Sequence, residues 1–182
     1  GTVNFIAGLP CYAMAVVLLW RGQPQLAAVH DIPHSTTYSA MAGGGAFYNQ
    51  TPLQRRRHPA QLAVLSSGVL RDLAQNAPDR LVQILSRHKL RNFGSQALHL
   101  CYAAAGHVSL VASREAKAWD DLAGALIARE AGLKYGPYHG ADHAMNEDQF
   151  SLCAPPDSFD SHLSIFLQSV SQTARATRTN LP

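Results

Sequence analysis

The tightest constraint on this chain is the apolar run Cys11–Trp20, CYAMAVVLLW. A bilayer crossing takes about 20 such residues, so the run is too short to be a membrane span. It does not resemble a secretory leader either: no basic segment precedes it, and Gly22, Gln23 and Pro24 follow as a turn. A continuous apolar run fits a strand covered on both faces, so Ala13–Leu19 is expected to be a central strand. Leu26–His30 reads as the next strand, ended near Pro33, and Thr36–Ala40 alternates enough for a third. Gly43–Gly45 opens a tight turn before Ala46–Tyr48. Connections this short imply antiparallel neighbours.

The pattern changes after Gln54–His58, QRRRH, a basic connector between Pro52 and Pro59. Nothing aromatic interleaves its arginines, as a single-strand nucleic-acid surface would require. Beyond it, Leu62–Leu65 reads as a strand and Val69–Leu73 as a helical turn. Pro78 is well placed in the first turn of a helix reaching about His88. Leu90–Asn92 is extended, and Ser95 is placed to cap a helix to Ala105 whose Leu98, Cys101, Tyr102 and Ala105 share a face. Val108–Ala112 reads as a strand, and Trp119–Ala131 as a helix closed by Gly132. Leu133–Tyr135 and Phe150–Cys153 are short strands. Ser158–Gln172 is a helix, and Thr173–Pro182 a polar tail expected to fray. The organisation expected is an antiparallel sheet unit over 1–58 and an alternating α/β unit over 59–182.

Composition narrows the class. Charged residues make up 15% of the 182-residue chain, against roughly 25% in ordinary globular chains. Such long uncharged stretches point to extensive buried surface, including a contact with a subunit or a missing domain. The formal charge of +3 suits an anionic small substrate and gives no argument for nucleic acid. Cys11, Cys101 and Cys153 lie far apart among apolar residues with no CxxC, so three reduced, buried thiols in a cytoplasmic protein are expected.

Asp120, in KAWDDLAGALIAREAG, is the best single candidate for chemistry. In the first turn of a helix its carboxylate is favoured by the free amides and the dipole. Ala123, Gly124, Ile127 and Ala131 give its side of the helix a small apolar surface for close packing. By spacing alone the ordinary reading leads, a helix-start aspartate with Asp121 as its exposed partner. Gly1 and Thr2, with Asn4, could offer amides and a hydroxyl to a phosphate. His139, Asp142 and His143 are too few for a metal site. Glu115 and Lys117 precede Trp119 in a loop that could line a mouth. Gly43–Gly45 lacks the lysine of a P-loop, and no Gly-x-Ser-x-Gly elbow is present.

Four segments together resemble the inositol monophosphatase family. GTVNFIAGLP at 1–10 is similar to the end of its DPxDGT-NF-x-x-G-x-P signature, and AWDDLAGALIAREAG at 118–132 to its WDxAAGxxxxxEAGG signature. GGGAFYN at 43–49 resembles its GxGAxxNG turn, and RNFGSQALHLCYAAAG at 91–106 its R-x-x-G-S-x-A-L-x-L-C helix. The resemblance implies a layered α/β/α/β/α sandwich, found as a homodimer, that hydrolyses phosphate monoesters with two or three Mg²⁺ ions and is often lithium-sensitive. It assigns Asp120 to a metal and Gly1 and Thr2 to the phosphate and attacking water. It places Trp119 beside the site, where it fixes the loop, and Ser95 and Ala97 near the substrate.

The departures shape the expectation. The acidic GEE motif and both DPxDG aspartates are absent, so the chain is expected to be a C-terminal fragment, without the first helical layer and first strand, and inactive alone. Ser113 stands where the family often has a substrate-binding acid, and Ser109 where another acid is usual. Glu115 could substitute from the same loop. The parent is expected to act on a small polyol or sugar phosphate: inositol phosphate, histidinol phosphate, fructose bisphosphate and a nucleotide phosphate all remain open. The alternative is a non-catalytic regulator of the same fold, contacting RNA or the transcription machinery, with Arg55–Arg57 as its basic feature.

Overall fold

The computed structural model describes residues 1–56, 60–139 and 145–178, with side chains described through Leu167. A short helix α1 (Thr2–Ile6) leads into a five-stranded antiparallel meander: β1 (Ala13–Trp20), β2 (Gln23–Asp31), β3 (Thr36–Met41), β4 (Gly45–Tyr48) and β5 (Thr51–Pro52). The remainder forms β6 (Leu62–Leu65), α2 (Ser67–Asn76), α3 (Pro78–Arg87), β7 (Lys89–Arg91), α4 (Gln96–Ala105), β8 (Leu110–Ala116), α5 (Ala118–Glu130), β9 (Lys134–Pro137), β10 (Gln149–Ala154) and α6 (Pro156–Arg178). Its strands make a second, mixed sheet in the order β7-β6-β8-β10-β9.

The side-chain period of two explains the layers. In the second sheet, Val64, Val111 and Cys153 point one way, onto Leu100 and Ala103 of α4 and Ala128 of α5. Their neighbours Ala63, Leu65, Leu110, Ala112, Leu152 and Ala154 point the other way, onto Val69, Leu73, Ile84, Phe159 and Phe166 of the outer helices. The other side of α4 and α5 packs Leu98, Cys101, Ala123 and Ile127 against Ala27, Val29, Tyr38 and Ala40 of the first sheet. The described layers therefore run sheet, helices, sheet, helices.

The first strand departs from its expected place. β1 lies at the edge of its sheet, and its burial alternates. Met14, Val16, Leu18 and Trp20 are each 55–66% exposed. The run is continuous in sequence because both faces of this edge strand are apolar, and among the described residues nothing covers the outer one. Leu18 pairs with Leu26, and Leu26 with Met41, so the open apolar face continues across three strands.

Other boundaries moved for local reasons. Thr2–Ile6 forms a short helix, and α2 is a full helix capped by Ser66 where a single helical turn was expected. Ser95 makes no side-chain cap. β8 begins two residues later than expected, because the Val108 amide is still spent on Tyr102 at the end of α4. α6 continues to Arg178, into the stretch expected to fray. The connector is not simply solvated: the Arg56 amide donates to Ala105 O, and a Cβ built at Gly106 would lie 1.8 Å from Arg56 O. Arg57, His58, Asp142 and His143 lie outside the described residues. No helix among the described residues is long and apolar enough to cross a membrane.

One long-range contact joins two of the sequence motifs. Both carboxylate oxygens of Glu130, at the end of α5, accept from the turn amides of Gly43 and Gly45, each at 2.9 Å. Gly43 and Gly45 have φ of 72° and 83°, a region glycine enters without steric cost.

Candidate functional site

The second sheet contains a switch in chain direction. From β6 the chain crosses to β7 on one side, then returns to β8 on the other, and both pairings are parallel. A crevice opens at the carboxyl ends of such strands, where ligands of open α/β sheets bind. Here those ends are Leu65–Ser66 and Glu115–Lys117, and α5 starts directly after β8.

Ser66 fastens the crevice. Its Oγ accepts from the Val69 amide at 3.3 Å and the Arg114 amide at 3.0 Å, and donates to Arg114 O at 3.1 Å. Glu115 follows with φ of 76°, a conformation costly for a residue with a side chain. Its carboxylate lies over Gly68, where an added Cβ would come 2.6 Å from Cδ, and 3.6 Å from Arg71 Nη1. Glu115 is thus a held, exposed acid at the crevice. Ser113 is buried within β8 opposite Ser151, a core position and not a lining one. Lys117 Nζ pairs with Asp148 Oδ1 at 2.5 Å.

Asp120 stands in the first turn of α5, half-buried. Its Oδ2 accepts from the Lys117 amide at 3.1 Å, which fixes the carboxylate against the helix start. Lysine has no acceptor to return the bond, so only one half of a capping box forms. Trp119, expected to pack beside the site, is 58% exposed. Asp121, expected to be the exposed partner, is 0% exposed. It accepts from Gln96 Nε2 at 2.7 Å and from Tyr135 Oη at 3.0 Å. Burial raises its pKa, and the bonds from Gln96 and Tyr135 oppose that shift.

Gly1 and Thr2 are exposed, whereas Ser95 and Ala97 are buried at the start of α4. The two regions meet through Asn4, whose Nδ2 donates to Cys11 O at 2.7 Å and Phe93 O at 2.5 Å. Gln96 then ties the first turn of α4 to that of α5. The structure therefore links the 92–97 segment to both α1 and the Asp120 turn. Asp121, Gln96, His99, Ser66 and Gly68 were missed as site residues. The only signals in sequence were the doubled aspartate after tryptophan and a serine and glycine directly after a strand.

The acids present do not by themselves fit a magnesium ion. Mg²⁺ takes octahedral oxygen ligands, and among the described residues no group of three His, Cys, Asp or Glu is placed to hold a metal. Asp120 offers one carboxylate, with one oxygen already on the helix cap.

Comparison with known proteins agrees with the layered fold. Residues 1–170 match the inositol monophosphatase family. An inositol-1-monophosphatase from Mycobacterium leprae is 37% identical over 157 residues, covering 78% of this chain and 53% of the relative. A protein named Nus factor SuhB from Vibrio cholerae is 32% identical over 161 residues, covering 85% of this chain and 60% of the relative. The structure of SuhB from Mycobacterium tuberculosis superposes with a TM-score of 0.76 at 28% identity, over 93% of this chain and 69% of that one. The chain belongs to the inositol monophosphatase family. It spans between half and two-thirds of the length of these curated relatives. The expectation that nucleic acid is not a partner finds no support here, because two relatives at 32% identity carry the name Nus factor SuhB.

Proposed function

We propose that this chain is part of a Mg²⁺-dependent phosphate monoester hydrolase acting on a small polyol or sugar phosphate. The observation that carries the reading is Asp120, fixed in the first turn of α5 beside the switch-point crevice, within the family's signature. A phosphate monoester dianion repels an attacking oxygen, so the site must gather positive charge. Bound metal would supply that charge and orient water. Asp120 is the one ligand proposed from this chain, and the remaining acids are proposed to come from residues beyond those described. Gly1 and Thr2 are proposed to face the phosphate, with Ser95 and Ala97 behind them. Glu115 is proposed to meet substrate hydroxyls in place of Ser113, and Trp119 to shield the loop. A homodimer is proposed on the same family grounds.

The test is phosphate release from inositol phosphate, histidinol phosphate, fructose bisphosphate and a nucleotide monophosphate, with and without Mg²⁺. The full-length parent is expected to hydrolyse at least one of them in a Mg²⁺-dependent way, and the 182-residue chain to stay at background. A parent inert on the whole panel would remove the proposal.

The relatives named Nus factor SuhB support a second reading, a regulator of the same fold acting with RNA or the transcription machinery. Salt-sensitive RNA binding lost on neutralising Arg55, Arg56 and Arg57 would support it, since each phosphate contact adds to the salt slope. Binding unchanged by those substitutions would remove it.

A further inference from the structure

A part-buried line of hydrogen bonds runs behind the candidate site, and each bond fixes the next. The Phe93 amide donates to His99 Nε2 at 3.2 Å. That nitrogen must carry a lone pair, so the ring is neutral with its proton on Nδ1. His99 Nδ1 lies 3.2 Å from Gln96 Oε1 and therefore donates to it. The Gln96 amide is thereby oriented with Nε2 toward Asp121 Oδ1, 2.7 Å away. Turning it over would set an oxygen against a carboxylate and two donors against each other. Tyr135 Oη, from β9, closes the line on Asp121 Oδ2 at 3.0 Å. His99 and Asp121 are both buried, and burial holds the imidazole pKa down at about 4, consistent with a neutral ring.

The two ends of this line are the two places where the site is assembled. Phe93 is the residue α1 grips through Asn4, and Asp121 is the neighbour of Asp120 in the first turn of α5. We propose that His99, Gln96 and Asp121 are positioning residues that set the α5 first turn, with Asp120, relative to the α1-bound 92–95 segment. They touch no substrate and act through the two segments they join. Apolar packing of α4 on α5 alone would hold the helices together but would not fix which side-chain atoms face each other at their ends. The link to catalysis rests on the phosphatase reading, whereas the link between the two segments does not.

Amide hydrogen exchange on the 182-residue chain separates the two. The Lys117 amide, bonded to Asp120 Oδ2, reports the α5 turn, and the Phe93 amide reports the loop. A Gln96→Leu, Asp121→Leu double variant removes the central bond and leaves His99 Nδ1–H and Tyr135 Oη without acceptors, so its general loss of stability is taken out by reading both amides against a core amide. It is expected to speed exchange at both amides by about tenfold relative to the core strand residue Val29. Asp121→Asn, which keeps an acceptor for Gln96, is expected to leave both within about twofold. The proposal is overturned if the double variant leaves Lys117 unchanged, or if Asp121→Asn is as disruptive as the double variant. In the full-length parent the double variant is expected to lower kcat about tenfold with KM nearly constant. An unchanged kcat would overturn the catalytic link. A parent without turnover in any form would instead defeat the phosphatase reading, and the amide result would still decide the positioning line.

Discussion

At Gly124 the two central helices approach closely, and replacing it gives a test worked directly from distances. A Cβ built at this position lies 2.7 Å from Leu100 Cβ, 2.9 Å from Leu100 Cδ1 and 3.3 Å from Ala97 O. Carbon atoms rest at about 3.5–4.0 Å, so the nearest contact is about 1 Å too close. Trimming Leu100 cannot relieve it, because the nearest atom is Cβ itself, and the helices must part. Overpacking of this kind costs about 2–3 kcal/mol. Alanine recovers about 1 kcal/mol through its better helix propensity. Gly124→Ala should therefore be net destabilising by about 1–2 kcal/mol. For a chain of this size, that corresponds to a fall in Tm of about 3–6 °C. Urea and thermal unfolding followed by circular dichroism measure both quantities. A Gly124→Ala chain as stable as the original, or more so, would refute the close approach of α4 and α5.

Other consequences can be checked alongside it. Burial lowers the His99 pKa from 6.5 to about 4, so the unfolded state takes up a proton first as pH falls. Stability is then fully present above about pH 6.5 and declines toward pH 4, by about 3 kcal/mol from this residue. Asp121, raised by burial, acts in the opposite sense, so the effect is read as the difference between urea melts of the parent chain and His99→Gln across that range. Burial pushes the Cys153 thiol up to about 12 and raises Cys101 and Cys11 as well, but Cys11 alone is partly exposed, so a thiol reagent should label Cys11 first in the native state and all three cysteines after unfolding. Leu18→Lys, on the open face of β1, should change stability by less than about 0.5 kcal/mol and reduce self-association of the isolated chain in sedimentation.

The sequence was most legible where pattern and packing agree. The α5 helix, its Gly132 stop and the small face around Gly124 follow from spacing, and the structure packs that face against both α4 and the first sheet. β6 falls at Leu62–Leu65, as its apolar run indicated. The limits of local pattern appear at β1: an apolar run reports that both faces are greasy, not that both are covered. Asp121 is the sharper case. Local chemistry puts a second acid at a helix start in solvent, and only tertiary structure brings Gln96 and Tyr135 to it, from 25 and 14 residues away. Likewise, the Glu130 clasp on Gly43 and Gly45 joins motifs 87 and 85 residues apart, a pairing that no window of sequence displays. The place of Asp120 in the first turn of α5 was legible because it depends only on its own helix turn.

The central claim is that Asp120 carries the chemistry of this fold. Its most direct test is Asp120→Asn in the full-length parent, with Mg²⁺-dependent phosphate release and thermal unfolding measured on the same preparation. Loss of this one charge is expected to cut turnover by about two to three orders of magnitude, while Tm stays close to that of the unsubstituted protein because asparagine can still cap Lys117. Turnover equal to that of the unsubstituted protein would contradict the claim.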